Sequence, residues 1–292
     1  MVICTECPRH CHAIRQEDSG AGRCHMGILP RVARIAPHYG EEPCISGTRG
    51  TGAVFFSGCS LNCVFCQNEK ISHGGWGKVL TVGELRAKME ALAESCHTLS
   101  LVNPTHYAHI LPELIGDGFS VPVVYNSGGY DSVETLETLE GKINVYLPDL
   151  KYHSPLLSAR YSAAKDYFEV ATAAILEMVR QTGACELDEN GILRRGVMIR
   201  HLVLPGCSAD SIACLKWCRD HLPDGVMYSV MSQYTPMETV KGIPALNRRL
   251  TAVEYDRVTR FLTDNDMVDG YIQELESSGT EAIPDFDALE GV

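Results

Sequence analysis

The chain lacks any run of about 18 apolar residues, the length a helix needs to cross a bilayer, and its first stretch, Met1 to Cys11, lacks the apolar segment of a secretory signal. No membrane partner is therefore expected, and a reducing cytoplasm is the expected compartment. The sequence also lacks a cluster of Lys and Arg. Its 25 basic and 37 acidic side chains leave a net charge of −12, which repels a phosphate backbone and excludes nucleic acid as an expected partner. No internal repeat or low-complexity segment is found.

What is present points elsewhere. With 292 residues, 45% of them hydrophobic, the chain can bury one large core, so one main domain with a small appendage is expected. Thirteen cysteines could be disulfides in a small secreted domain, but in a cytosolic chain of this length they indicate metal or redox chemistry. Their density divides the sequence. Cys4, Cys7, Cys11 and Cys24 lie amid Pro8, Gly20, Gly22 and Gly27 with little periodicity, predicting a metal-stapled lobe over residues 1–46. Residues 47–292 form the main domain, with a helical extension at its C-terminal end.

In that domain apolar runs alternate with amphipathic stretches, the pattern of βα units on a parallel sheet. Strands are predicted near 53–57, 98–103, 121–126, 143–149, 197–204 and 226–231. Thr81 with Glu84 and Thr251 with Glu254 read as capping boxes, and Asp131 with Glu134 as a third helix start. Cys185 to Arg195 reads as an exposed loop. The expected fold is α/β, a partial (β/α)6 TIM-like barrel carrying the N-terminal cysteine-rich lobe.

Cys59, Cys63 and Cys66 fall within eight residues, directly after the apolar run Ala53-Val54-Phe55-Phe56. A cubane iron–sulfur cluster has four irons to ligate, so three thiolates leave one iron open, as a catalytic metal site requires. The C-terminal end of a parallel strand is also where barrel active sites collect. A zinc site or unrelated buried thiols are the alternatives that spacing alone leaves.

These residues resemble a family. C-x-x-x-C-x-aromatic-C, with Phe65 as the aromatic, is similar to the signature loop of the radical S-adenosylmethionine (SAM) enzymes, and the wider chain resembles the pyruvate formate-lyase activating enzyme-like branch with a cysteine-rich N-terminus. The matching segments are Gly40-Glu41-Glu42-Pro43 through Gln67-Asn68, Leu101 to Tyr107, Val124 to Tyr130, Tyr146 to Tyr152, Ile199 to Gly206, and Ser232-Gln233-Tyr234.

The resemblance implies a [4Fe-4S] cluster on Cys59, Cys63 and Cys66, with SAM chelating the open iron. Reduction then splits SAM, and the 5′-deoxyadenosyl radical takes hydrogen from a substrate. It further implies SAM contacts from Phe65, Asn103, Thr105, Asn126, Ser127, Asp149, Lys151, Arg200 and Gln233. Asn103-Pro104-Thr105 stands where the activating enzymes carry Gly-Gly-Glu, so Asn103 and Thr105 are expected to accept the ammonium hydrogens there. Lys151 is expected to hold the SAM carboxylate and Asp149 to anchor it, the alternative being a plain ion pair at the rim. Arg200 is a candidate for bidentate carboxylate binding and, with His106, for the catalytic set. A lone His such as His106 is more often structural, and His201 should face away from Arg200, where packing is one of two open readings.

An electron donor such as flavodoxin or ferredoxin is implied as a partner, and a glycyl radical enzyme or a peptide as substrate. The alternatives are modification of a small metabolite, or a non-catalytic iron–sulfur or metal-sensing protein. Cys4, Cys7, Cys11 and Cys24 give C-x2-C-x3-C-x12-C, which suits zinc or a second iron–sulfur cluster, with His10, His12 and His25 as substitutes. Cys214 and Cys218, beside Leu215 and Trp217, read as helix core. Cys96 and Cys207 show no partner pattern, and Cys44 is left between ligand and core.

Overall fold

The computed structural model describes residues 2–275 and 284–292. A short antiparallel pair, β1 (Val2–Ile3) and β2 (Ile14–Arg15), opens the chain, followed by β3 (Arg31–His38), α1 (Pro43–Ser46) and β4 (Thr51–Phe56). After α2 (Glu69–Ser72), β5 (Lys78–Val79) and α3 (Val82–Ala93) come β6 (Thr98–Val102), α4 (Leu111–Ile115), β7 (Val123–Ser127), α5 (Val133–Glu137) and β8 (Val145–Pro148). The chain continues through α6 (Pro155–Ser162), α7 (Tyr167–Thr182), β9 (Glu186–Leu187), β10 (Leu193–Leu202) and α8 (Ser208–His221). It closes with β11 (Met227–Met231), α9 (Ala252–Asp264) and β12 (Gly270–Ile272).

The six predicted strands are β4, β6, β7, β8, β10 and β11, which run parallel in that spatial order. β4 is buried along its whole length, as a parallel strand covered on both faces must be. The sheet is open, its ends being β5 and β12. Phe55 and Phe56 of β4 nevertheless line the same cavity as Met231 of β11, so the sheet curves around it.

Alternation sorts side chains by face. Val124, Val145, Leu147, Leu193 and Met198 form an apolar layer on the inner face, closed by Cys44 and Ile45 of α1. This assigns Cys44 to the core. Asn126, Asp149 and Arg200 lie farther along the same strands, two residues past Val124, Leu147 and Met198, and make a polar layer above it. Tyr125 and Tyr146, on the opposite face, meet edge to face in the main core cluster.

Four expectations need correction. β3 pairs antiparallel with β4 from Val32↔Phe56 to His38↔Thr51, so the sheet begins well before residue 47. Cys185 to Arg195 is not a plain loop, because β9 pairs with β10 in a hairpin whose turn is tied by the Asn190 and Ile192 amides donating to Asp188 Oδ1. The C-terminal extension is not only helical. β12 adds a parallel strand beside β11, and the Ile35 amide of β3 donates to the Glu290 carbonyl. Asp131 does not cap α5; Ser132 does, accepting from the Thr135 amide, because the Asp131 carboxylate is buried under the hydroxyls of Thr105, Tyr125 and Ser127 at 2.6, 2.8 and 2.6 Å.

Both capping boxes form as expected, at Thr81 and Thr251. Thr251 and Glu254 fasten the start of α9, whose buried face of Tyr255, Val258 and Leu262 packs into the core. Thr251→Ala should lower stability by about 1 kcal/mol with an unchanged urea m-value, and an unchanged urea midpoint would show that the cap contributes nothing.

Candidate active site

β4 ends against a loop that carries all three clustered cysteines. Cys59, Cys63 and Cys66 line a cavity of about 250 Å³ at the C-terminal ends of the parallel strands, together with Phe65, Asn103, Asn126, Ser127, Asp149, Lys151, Arg200 and Gln233. Two left-handed residues shape the rim: Asn62 at φ 66° within the loop and Asn103 at φ 58° after β6. The Asn103 amide group donates to the Gly58 carbonyl at 2.7 Å, locking β6 to the residue before Cys59.

Each thiol has a hydrogen-bond donor. The Leu61 amide donates to Cys59 Sγ at 3.3 Å, and the Ser162 hydroxyl to Cys63 Sγ at 2.9 Å. Cys66 Sγ lies 3.2 Å from the Ser72 hydroxyl and is bonded by the Asn68 backbone. Burial pushes the Cys63 thiol up to about 12 and raises Cys66 as well, despite the pull of Lys151. Such thiols stay protonated until a metal displaces the proton, so cluster loading releases protons here.

Among the described residues no three His, Cys, Asp or Glu side chains close on one point as a single-ion cage does. A cubane instead takes one thiolate on each of separate corner irons. Donors to sulfur and a neighbouring cation suit an anionic cluster, so the residues fit one.

A charged layer floors the cavity. Arg200 Nε donates to Asp149 Oδ1 at 3.0 Å, Nη1 to Glu41 Oε2 at 3.2 Å and Nη2 to Asn126 Oδ1 at 2.6 Å. Asn126 returns its own amide hydrogen to Glu41 Oε1 at 2.8 Å, and Lys151 Nζ pairs with Asp149 Oδ2. Asp149 and Lys151 therefore do form an ion pair, but inside the cavity wall. Burial raises the Asp149 carboxyl, yet Arg200 and Lys151 outweigh it and hold the group below its ordinary value. Burial raises Lys151's tendency to lose its proton, and Asp149 outweighs that, keeping Lys151 charged. Glu41 goes the other way, burial raising its carboxyl against the pull of Arg200.

Two expected site residues do not reach the cavity. Thr105 is buried and donates to Asp131, because its strand end turns into a short 3₁₀ segment. His106 is fully buried, with Nε2 2.7 Å from the Ser57 carbonyl, and burial lowers its ring to about 3, so it stays neutral and braces the loop entering Cys59. Ser127 lines the cavity, but its hydroxyl is committed to Asp131. His201 faces away, its Nδ1 2.6 Å from the Leu150 carbonyl.

Sequence reasoning gave no role to Glu41, although Gly40-Glu41-Glu42-Pro43 was among the segments of resemblance. Ser72 and Ser162 were missed outright. Only the folded chain brings them to the cysteines, and no local spacing announces them.

The curved sheet shares its fold with HydG. Among solved structures, HydG, a maturase of the [FeFe]-hydrogenase, superposes with a TM-score of 0.51 at 15% identity, covering 81% of this chain and 53% of HydG. Methylornithine synthase PylB gives 0.46 at 14% identity over 80% of this chain and 64% of its own. SuiB of Streptococcus suis, solved with precursor peptide SuiA, gives 0.49 at 15% identity over 75% and 47%. The chain thus spans about half to two thirds of these proteins.

By sequence, an uncharacterized protein of Methanocaldococcus jannaschii, MJ0674, is 29% identical over 267 residues, 87% of this chain and 72% of that protein. No protein-family model matches the chain. Among the described residues no helix is long and apolar enough to cross a membrane.

Asp149 should make stability depend on pH. Because its folded-state pKa is depressed, its contribution is complete above the ordinary carboxylate range near about pH 4 and vanishes as pH falls through the folded value. Asp149→Asn is expected to lose about 2–3 kcal/mol at pH 7, less than a sealed ion pair because the cavity admits water, and to show a shallower decline on acidification. Urea midpoints from pH 7 to pH 3 that run parallel in the two proteins would contradict this.

Proposed function

We propose that the chain is a radical SAM enzyme. The observation that carries this reading is one cavity, in a sheet of that fold, lined at once by the three thiols of a single strand-end loop and by the Asp149, Lys151 and Arg200 charges. On this reading the curved sheet is the partial barrel of such enzymes, and Cys59, Cys63 and Cys66 hold a [4Fe-4S] cluster. When bound, the cluster supplies one electron that splits SAM into methionine and a 5′-deoxyadenosyl radical, which abstracts a substrate hydrogen.

The chain's own residues position and shield. Lys151, held charged by Asp149, offers its remaining ammonium hydrogens to the SAM carboxylate. Asn103, without the Thr105 hydroxyl, is left to meet the ammonium group, with the Glu41 and Asp149 carboxylates as further acceptors in the wall. Phe65, packed edge to face against Tyr152 and Tyr234, narrows the water-accessible space beside the thiols. Excluding water protects a radical from quenching by side reactions.

The resemblance to activating enzymes makes a Gly Cα of a partner protein the hydrogen donor we favour, with flavodoxin or ferredoxin as electron source. A glycyl-radical signal in a mixture of chain, SAM, reductant and partner would mark that activity, and a peptide or metabolite product would replace it.

Anaerobic reconstitution with iron and sulfide, dithionite reduction and addition of SAM should yield 5′-deoxyadenosine. Cys63→Ala should abolish it, and equal product from wild type and variant would sink the reading. Lys151→Met is expected to weaken SAM binding by about tenfold or more, the loss of one charged hydrogen bond, with unchanged iron content. Calorimetry with equal affinities would remove Lys151 from the SAM contacts.

A further inference from the structure

The cysteines separate by what approaches their sulfur. At Cys59 and Cys66 the backbone two residues on, Leu61 and Asn68, is bonded to the thiol. Cys4 and Cys7 resemble them, with the backbones of Glu6 and Arg9 close enough to their thiols to favour the ionised form against burial. Cys214 and Cys218, by contrast, sit in the apolar core with their own amides at the sulfur. Amides aimed at sulfur favour thiolates and recur where thiolates bind metal.

Cys4 and Cys7 both lie within electrostatic reach of Cys11 and Cys24, so the fold gathers the four thiols of C-x2-C-x3-C-x12-C into one neighbourhood. Beside them stands a buried cation. Arg15 is 3% exposed, and its guanidinium bonds go to the His106 carbonyl at 2.7 Å, the Gly27 carbonyl at 3.4 Å and Cys24 Sγ at 3.6 Å. Carbonyls are neutral, and a buried guanidinium without a compensating anion is costly. Four thiolates around a metal would supply that anion.

Backbone strain marks the same sulfurs. His10 and His12 flank Cys11 at φ 42° and 45°, and His25 follows Cys24 at φ 61°, a region that non-glycine residues occupy only when held there. The lobe's own strands do little to hold it. Val2, Ile3 and Ile14 of its two-stranded ribbon are exposed, and such a ribbon is marginal alone.

We propose that Cys4, Cys7, Cys11 and Cys24 hold a second iron–sulfur cluster, closed by four thiolates on separate corner irons, with Arg15 as its buried counter-charge. The centre is tied to the catalytic loop. Arg9, between Cys7 and Cys11, donates to the Ser60 carbonyl at 2.7 Å and the Ser162 carbonyl at 3.2 Å, next to the hydroxyl that donates to Cys63. These residues are distinct from the catalytic triad, so the second centre stands or falls separately from the radical SAM reading.

The test counts iron, zinc and acid-labile sulfide in the full chain, purified anaerobically, with Cys59→Ala, Cys63→Ala and Cys66→Ala together. About four irons with sulfide should remain per chain, and about one zinc in their place would overturn the cluster. Adding Cys4→Ser and Cys7→Ser should reduce that content to below about a tenth, whereas adding Cys214→Ala and Cys218→Ala should leave it unchanged. A triad-less chain that is folded by circular dichroism yet holds less than about a tenth of that iron overturns the proposal. So does metal that survives loss of Cys4 and Cys7, or that is lost equally with Cys214 and Cys218.

Discussion

Arg200 sits where three separately built parts of the molecule meet. It projects from β10 into the polar layer of the inner face, bonding Asp149 at the end of β8, Asn126 on β7 and Glu41 on the strap between β3 and α1. A guanidinium with five fixed donors can satisfy three partners at once in a geometry a lysine could not reproduce. Because the layer is buried, the cation and its two carboxylates must be set against one another. That requirement seats the strap beneath the sheet, keeps Asp149 ionised and thereby keeps Lys151 charged beside the thiols. The apolar plug of Cys44 and Ile45 closes the same end from below.

The catalytic loop depends on this frame from the other direction. Asn103 and Gly58 lock β6 to the loop entrance, Ser162 donates to Cys63 sulfur, the Ser72 hydroxyl pairs with Cys66 sulfur, and neutral His106 braces the backbone at Ser57. Gly58 has φ 84°, and a Cβ there would fall 2.4 Å from the Met26 side chain and 3.0 Å from the Cys24 carbonyl. The cysteine-rich lobe therefore packs directly behind the loop that precedes Cys59, and only glycine permits that approach.

Much of the parallel sheet was legible in the sequence because its signals are local. Ala53-Val54-Phe55-Phe56 reads as a buried strand from composition alone, and the capping boxes at Thr81 and Thr251 are fixed by neighbours three residues apart. The failures were non-local. Asp131 has every feature of a helix cap, but three hydroxyls from distant positions bury it, and Ser132 takes the cap instead. β3 was invisible as part of the sheet because its partner, β4, lies beyond a strap that interrupts any pattern. At the site, residues on strand ends could be aligned with the cavity by alternation, whereas Thr105 and His106 could not, since the chain turns into a 3₁₀ segment where a strand was extrapolated. Glu41 enters from the strap, and no periodicity points it at Arg200.

The central claim is that a redox-active cluster on Cys59, Cys63 and Cys66 meets SAM in this cavity. Electron paramagnetic resonance on the reconstituted, dithionite-reduced chain tests it most directly. The account predicts an iron–sulfur signal that changes shape when SAM is added, and loss of that SAM response in Cys63→Ala. A reduced chain whose iron–sulfur signal is indifferent to SAM, or whose response survives Cys63→Ala, would contradict it.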